Sequence, residues 1–228
     1  MGGRFLSLLA EKPRLIVSLP ANSPELARAA ADGGAEALKV HLHVRHDASG
    51  TQFGSLAQER PNLEQILALG LPTGIVPGAG DRLPTPEEMG ELVTMGLDFF
   101  DCYAHDTPAW LMRFAGMTRA VAISSAAQCD HLGDLEALGF ELIEAAIVPH
   151  AGYGKPLTVA DLVGYRQVRR ATALPIIVPT QRDLRPEEAL ILLRETGINA
   201  LMIGAIVTGR APASLRAATE RFAAAMRG

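Results

Sequence analysis

Cysteine, aromatic residues and long apolar runs are all scarce in this chain of 228 residues. Two cysteines cannot form a disulfide framework, which argues against a small secreted scaffold and predicts a reducing, cytoplasmic setting. No apolar run approaches the roughly 20 residues of a membrane span, so we expect no membrane association. Lys and Arg number 21 against 25 Asp and Glu, and this near balance gives no electrostatic reason to expect nucleic acid as a partner.

What the chain does contain is a repeated unit of apolar strand, turn and helix. Hydrophobic residues make up 48% of the sequence and aromatic residues only 5%, which is typical of aliphatic helices packed on a buried sheet. Eight such units predict a single-domain α/β protein, a (β/α)8 TIM barrel over 1–228, rather than an open doubly wound sheet. Residues 1–13 are predicted to form a short N-terminal segment that covers the bottom of the barrel. The predicted strands are 14–19, 37–44, 73–76, 97–102, 119–123, 140–148, 175–178 and 200–203.

The second predicted strand carries the strongest functional signal. Lys39, His41 and His43 alternate with apolar residues, so one strand face is apolar and the other ionisable. In a barrel the ionisable face points at the axis, where titratable groups are costly to desolvate and usually have a chemical role. The competing interpretation is a strand whose polar face meets solvent. We therefore predict these three residues to be catalytic.

The chemistry expected of each follows from its ionisation. A desolvated lysine among cationic neighbours has a lowered pKa, so Lys39 is predicted to act as an electrophile, a proton donor or a Schiff-base amine. His41 or His43 would be the general acid or base. Glu144, in the middle of the sixth predicted strand, would be a buried acid near Lys39 if it faces the axis. A structural ion pair and a catalytic pair then remain equally open.

A metal site is the weaker alternative for this region. His41 and His43 with His46 and Asp47 contain donors that zinc accepts, but nothing in the spacing fixes a complete ligand set. We therefore predict neither a metal nor a cofactor.

Ligand-binding residues are expected in the loops that follow the strands, because barrel active sites lie at the carboxyl ends of the strands. The glycine-rich loop 149–156 follows the sixth strand, and a phosphate is commonly bound at the ends of strands 7 and 8. Arg182 would hold that phosphate, unless it simply pairs with Asp183. The predicted ligand and phosphate contacts are His150, Gly152, Tyr153, Lys155, Arg182, Gly204 and Ala205.

Several segments resemble the N-acetylmannosamine-6-phosphate 2-epimerase family of the ribulose-phosphate-binding barrels. They are RLIVSLPANSP, GAEALKVH, GIVP, PHAGYGKPLTVADL and IIVPTQRDLRPEEALILLRETGINALMIGAIVTG. The resemblance implies substrate contacts for Lys39, the pair Gly152 and Tyr153, and the pair Gly204 and Ala205.

The chain departs from that family at two catalytic positions. The family's lysine at the end of strand 3 is replaced by Pro77, and its acid at the end of strand 7 by Pro179 and Thr180. The order Lys39, Val40, His41 is also similar to strand 2 of orotidine-phosphate decarboxylase, whose aspartate–lysine motif on strand 3 has no counterpart here.

The function predicted is that of a barrel enzyme acting on a small phosphorylated carbonyl or sugar compound by isomerase- or epimerase-type proton transfer. An aldolase- or decarboxylase-type lyase and a non-catalytic phosphosugar-sensing barrel stay open as alternatives. The expected partner is a small phosphorylated ligand, and exposed helices leave a homo-oligomer open.

Overall fold

The computed structural model describes residues 3–227 and confirms the barrel. Eight parallel strands close on themselves in chain order, with the first strand paired to both the second and the last. Met1, Gly2 and Gly228, which the predicted domain also includes, lie outside the described residues. The barrel strands are β1 (Arg14–Ser18), β2 (Ala37–His41), β3 (Thr73–Val76), β4 (Phe99–Tyr103), β5 (Thr118–Ile123), β6 (Leu142–Ala145), β7 (Ile176–Pro179) and β8 (Ala200–Ile203).

The helices begin where the sequence supplies capping residues. Thr85 and Glu88 form a reciprocal capping box at the start of one helix, and Gly96 ends it with a φ of 98°. Ser23 caps another through a hydrogen bond that its Oγ accepts from the N–H of Leu26. The helices are α1 (Arg4–Glu11), α2 (Pro24–Asp32), α3 (Leu56–Leu67), α4 (Pro86–Met95), α5 (Leu132–Ala137), α6 (Val159–Ala171), α7 (Pro186–Thr196), α8 (Ala205–Thr208) and α9 (Pro212–Ala225). None of the helices within residues 3–227 is long and apolar enough to cross a bilayer.

The second strand is shorter than predicted. It ends at His41 rather than continuing to residue 44, because the backbone turns at His43, whose φ is 59°. The N–H of His43 donates to the carbonyl of Gly54 instead of to a barrel strand. The polar loop that follows forms a small antiparallel hairpin, Arg45–His46 paired with Thr51–Gln52. The alternation of side chains therefore holds for Lys39 and His41 and fails at His43.

Two predicted helices also differ. After β4 the chain forms two 3₁₀ segments, Ala104–Asp106 and Ala109–Arg113, in place of an α-helix. Pro108 separates them, since a proline disfavours helical backbone at the preceding residue. The helix that the repeated unit predicts after β5 is instead a 3₁₀ segment, Ala126–His131, followed by the short α5.

The lower interior of the barrel is filled by apolar side chains. Ala37, Phe99 and Leu142 point inward from β2, β4 and β6, and none of the three is solvent-accessible. We call these three residues the apolar layer. The ring of Phe5, on α1, stacks on Phe99 with centroids 4.3 Å apart. Gly74 on β3 makes room for that ring, because a Cβ at this position would lie 2.0 Å from Phe99.

Candidate active site

A cavity of about 380 Å³ opens at the carboxyl ends of the strands. Its floor is formed by side chains of the barrel interior, and its walls by the loops after β2, β3, β4, β6, β7 and β8. This is the end of a (β/α)8 barrel at which active sites lie. We therefore expect the predicted site residues to line this cavity.

The floor of the cavity consists of three charged side chains. Lys39, Asp101 and Glu144 lie on β2, β4 and β6, each two residues beyond a member of the apolar layer. Their exposed fractions are 4%, 1% and 7%. The Nζ of Lys39 lies 2.6 Å from Oδ2 of Asp101 and also donates to Oε2 of Glu144. We call this set the charged layer.

The pKa of Lys39 shifts in the direction opposite to the one predicted. Burial by itself would lower this pKa, but the charges of Asp101 and Glu144 raise it above its ordinary value. The prediction was wrong because it counted only cationic neighbours on the same strand. Lys39 is therefore an ammonium ion at neutral pH, a donor and an electrostatic stabiliser rather than a free amine.

The two carboxyl groups of the charged layer are not equivalent. Burial and the charge of Asp101 raise the pKa of Glu144 well above its ordinary value, while burial of Asp101 is outweighed by Lys39, which lowers its pKa. Oδ1 of Asp101 is buried without a partner if both groups are ionised. A protonated Glu144 carboxyl group is the neighbouring donor that this oxygen lacks. The raised pKa and the unpartnered oxygen both favour the protonated form of Glu144.

His41 lies above the charged layer and is 3% exposed. Asn22 fixes its backbone, because the Asn22 amide donates to the His41 carbonyl at 2.7 Å and its oxygen accepts from the His41 N–H at 3.2 Å. Burial, together with the nearby His46 and Lys39, lowers the pKa of His41 well below its ordinary value. The imidazole is neutral at pH 7, and its Nδ1 has no hydrogen-bond partner within the described residues.

His46 packs on the same side of the cavity as His41. Their ring centroids are 4.6 Å apart, and Nδ1 of His46 lies 2.9 Å from Oγ of Ser49. Burial and Lys39 lower the pKa of His46 to about 4, so it too is neutral at pH 7. Between residues 3 and 227, no three His, Cys, Asp or Glu side chains are placed to hold a metal ion. The alternative of a metal site at these histidines therefore has no ligand set in the described part of the chain.

His43 does not join this group. It is not among the residues that line the cavity, and its Nε2 lies 3.8 Å from Oε1 of Glu88, at the start of α4. The turn at His43 removes its side chain from the inward face of β2. Of the three residues predicted to be catalytic, the structure brings only Lys39 and His41 into the cavity.

The loop after β6 contributes unequally to the cavity. Tyr153 lines it, and the ring of His150 stacks on that of Tyr153 with centroids 4.7 Å apart. Nε2 of His150 lies 3.4 Å from Oδ2 of Asp47, which connects this loop to the hairpin after β2. Gly152 and Lys155 are not lining residues.

The predicted phosphate contacts are also divided. Arg182 is not among the lining residues of this cavity. It donates to Asp161 at 2.8 Å and to the carbonyl of Gly152 at 2.9 Å. Its ion-pair partner is thus Asp161 rather than Asp183. Gly204 does line the cavity, and its N–H donates to Oγ1 of Thr180 at 3.0 Å. Ala205 is the first residue of α8 and is not a lining residue.

Sequence reasoning missed some residues of the site. Asp101 stands in the apolar run LDFFDC, and neither Arg45 nor Gln181, which lies inside the segment IIVPTQRDL, was predicted to line the site. Strand periodicity could have revealed Asp101, because it lies two residues after Phe99 on β4 and therefore on the same, inward face. Lys39 has the same two-residue spacing from Ala37 on β2.

Neither the protein-family models nor the curated proteins contain a match to this chain. Solved structures do match. A chain of Mycobacterium tuberculosis tryptophan synthase is 14% identical, covers 100% of both chains and has a TM-score of 0.79. KGPDC from Streptococcus mutans is 14% identical over 94% of this chain and 97% of its own, with a TM-score of 0.68.

An N-acetylmannosamine-6-phosphate 2-epimerase from Clostridium perfringens also matches. It is 17% identical over 90% of this chain and 91% of its own, with a TM-score of 0.62. At identities this low, the three likenesses show the barrel fold alone. Membership of the epimerase family stays a prediction.

Proposed function

We propose that this protein is an enzyme that acts on a small phosphorylated carbonyl or sugar compound by isomerase- or epimerase-type proton transfer. The observation that carries the proposal is Glu144, a buried carboxyl group that contacts the Lys39 ammonium at the floor of the cavity and has a pKa raised well above its ordinary value. Perturbed ionisation in a cleft is typical of a catalytic group, because general acids need a pKa near the working pH.

The chemistry assigned to the charged layer is enolisation. A base removes the proton from the carbon next to the carbonyl, and the electron pair of that C–H bond moves toward the carbonyl oxygen. The Lys39 ammonium stabilises the negative charge that develops on this oxygen. Glu144 gives its proton to this oxygen, which completes an enediol. The protonated base then delivers its proton to the adjacent carbon, and Glu144 regains a proton from the second hydroxyl of the enediol. His41, neutral at pH 7 and facing the same cavity, is the proposed base.

The phosphoryl group is assigned to the mouth of the cavity. Arg45 lines the mouth, is exposed, and has no ion-pair partner among residues 3–227. On the other side, Gly204 lines the cavity, but its N–H already donates to Oγ1 of Thr180. Of the other predicted ligand-binding residues, Tyr153 alone lines this cavity. Support for an anionic ligand therefore comes from Arg45 and no longer from Arg182, which pairs with Asp161.

Proton exchange tests this function most directly. A panel of aldose and ketose phosphates is incubated with the protein in D₂O, and ¹H NMR follows the loss of the signal next to each carbonyl. We expect exchange with at least one compound, and a rate lower by about 100-fold or more for Glu144→Gln. Lys39→Ala and His41→Ala should also lose exchange while keeping affinity for inorganic phosphate.

Two other results would contradict the proposal. Binding of a sugar phosphate without any exchange would identify a non-catalytic sensing barrel. Cleavage of a carbon–carbon bond, with two products in the spectrum, would identify a lyase of the aldolase or decarboxylase type.

A further inference from the structure

The side chain of Gln181 bridges the ends of β6 and β7 and has its amide orientation fixed by the backbone. Its Oε1 accepts a hydrogen bond from the N–H of Val148 at 3.0 Å, and its Nε2 donates to the carbonyl of Ala146 at 3.2 Å. Reversing the amide would place two donors together and two acceptors together, so only one orientation satisfies both contacts. Gln181 is 5% exposed, which makes any mismatch costly.

The second N–H of this amide is directed at Tyr153. Nε2 of Gln181 lies 2.6 Å from the phenol oxygen, which accepts this hydrogen bond. The hydrogen of the phenol must then point elsewhere. No acceptor for it occurs among the described residues, and both Tyr153 and Gln181 line the cavity. The hydroxyl hydrogen is thereby left for whatever occupies the cavity.

The phenol keeps this hydrogen at neutral pH. Burial raises the pKa of Tyr153, the hydrogen bond from Gln181 lowers it, and the nearby Asp47 and Glu144 raise it further, with a net increase. Tyr153 is therefore a neutral donor under working conditions.

We propose that Gln181 is a positioning residue that turns the Tyr153 hydroxyl so that it donates to a carbonyl or phosphoryl oxygen of the bound ligand. This inference rests on the proposed function for the class of ligand, but not for the direction of the hydroxyl. The site at Tyr153 then selects an acceptor atom and disfavours a ligand that presents an N–H or O–H donor there.

The direction of the hydroxyl has a test that needs no ligand. The three tyrosines of the chain are replaced by fluorotyrosine, whose more acidic phenol titrates at lower pH, and ¹⁹F NMR follows each one. Tyr153→Phe assigns the signal. A donated hydrogen bond favours the phenolate, so Gln181→Met should raise the pKa of Tyr153. A lower or unchanged pKa in a folded Gln181→Met protein would overturn the proposal.

The proposed hydrogen bond from Tyr153 to the ligand is tested by isothermal titration calorimetry with inorganic phosphate, glycerol 3-phosphate and dihydroxyacetone phosphate. Tyr153→Phe should weaken binding by about fivefold to tenfold, which corresponds to the roughly 1 kcal/mol of one hydrogen bond. Equal weakening for all three probes assigns the acceptor to the phosphoryl group, whereas weakening of dihydroxyacetone phosphate alone assigns it to the carbonyl.

Unchanged affinity of Tyr153→Phe for every probe would overturn the contact with ligand. Failure of the wild-type protein to bind any probe would overturn both the proposed contact between Tyr153 and the ligand and the proposed function. The ¹⁹F titration still decides the direction of the hydroxyl in that case, so the two failures are distinguishable.

Discussion

Two successive layers of the barrel interior differ sharply although the same three strands build both. β2, β4 and β6 supply Ala37, Phe99 and Leu142 to the apolar layer and, two residues further on, Lys39, Asp101 and Glu144 to the charged layer. Both layers are almost completely buried. The apolar layer is covered by Phe5, whereas the charged layer forms the floor of the cavity.

The difference indicates what each layer contributes. Apolar side chains of similar size fill a barrel at no desolvation cost, and replacing a buried ion pair by such residues is often neutral or stabilising. The charged layer is therefore a poor way to stabilise the barrel and a suitable way to hold a proton next to an ammonium ion. We expect the lower layer to stabilise the barrel, and we propose that the upper layer carries the chemistry.

The largest effect on stability is expected in the apolar layer. Phe99→Ala removes a fully buried ring that packs between Phe5 and Gly74, and should lower the free energy of unfolding by roughly 3–5 kcal/mol. Urea unfolding at pH 7 measures this loss. Trp110→Ala, at an aromatic residue that is 37% exposed and outside the barrel interior, is the control and should cost far less. Similar losses of unfolding free energy for the two variants would contradict the stabilising role of the apolar layer.

The second largest loss of stability is expected when the charged layer loses its only cation. Lys39→Met leaves two buried carboxyl groups without their cation and should cost about 3 kcal/mol of unfolding free energy at pH 7. Changing Asp101→Leu and Glu144→Met in the same protein should recover most of that loss while abolishing proton exchange. A triple variant as unstable as Lys39→Met would mean that the charges hold the barrel together.

The charged layer should also make the stability of the protein depend on pH. The folded-state pKa of Glu144 is raised above its ordinary 4.5, so above pH 4.5 the folded protein keeps a proton that the unfolded chain has lost. Stability then falls as pH rises through this window, by about 1.4 kcal/mol per pH unit for one proton. Glu144→Gln should remove this slope.

The difference between wild-type and variant protein isolates Glu144. His41 and His46 have lowered folded-state pKa values, so they act in the opposite sense and make the protein more stable as pH rises toward 6.5. They are present in both proteins and cancel. Parallel curves of unfolding free energy against pH for the two proteins would show that Glu144 is ionised in the folded state.

The smallest effect is expected at His43. His43→Gly removes a side chain outside the cavity and places glycine at a φ of 59°, a conformation glycine adopts readily, so the unfolding free energy should change by less than about 1 kcal/mol. Proton exchange should be unchanged. The matched variant His41→Asn, on the inward face of β2, should reduce exchange by at least tenfold. Equal losses at both positions would contradict the placement of the site.

The sequence was sufficient for the barrel, because its signals are local. Thr85 and Glu88 cap α4 as the Thr-Pro-Glu-Glu pattern predicts, and each strand is a short apolar run. The turn at His43 was not predictable, since it depends on a hydrogen bond to Gly54 that the alternating pattern does not encode.

The site was only partly predictable, because its contacts join distant strands. Lys39 was expected to face the axis, and Glu144 was recognised as a buried acid that would lie near it. Asp101 was missed, and it lies 62 residues from Lys39 in the chain. The direction of the pKa shift of Lys39 depends on both acids, so it could be read only from the closed barrel. Closure of the barrel brings β2, β4 and β6 to the same level around the axis, and no single segment of the sequence encodes that arrangement.

The protonation state of Glu144 at neutral pH decides whether the charged layer can donate a proton. Infrared difference spectra of wild-type protein minus Glu144→Gln, recorded at pH 7, report whether this side chain is a carboxylic acid or a carboxylate. We expect a carboxylic-acid C=O band in the wild-type spectrum that shifts in D₂O. A difference spectrum with carboxylate bands alone would show an ordinary ion pair with Lys39 and would contradict the proton-holding site.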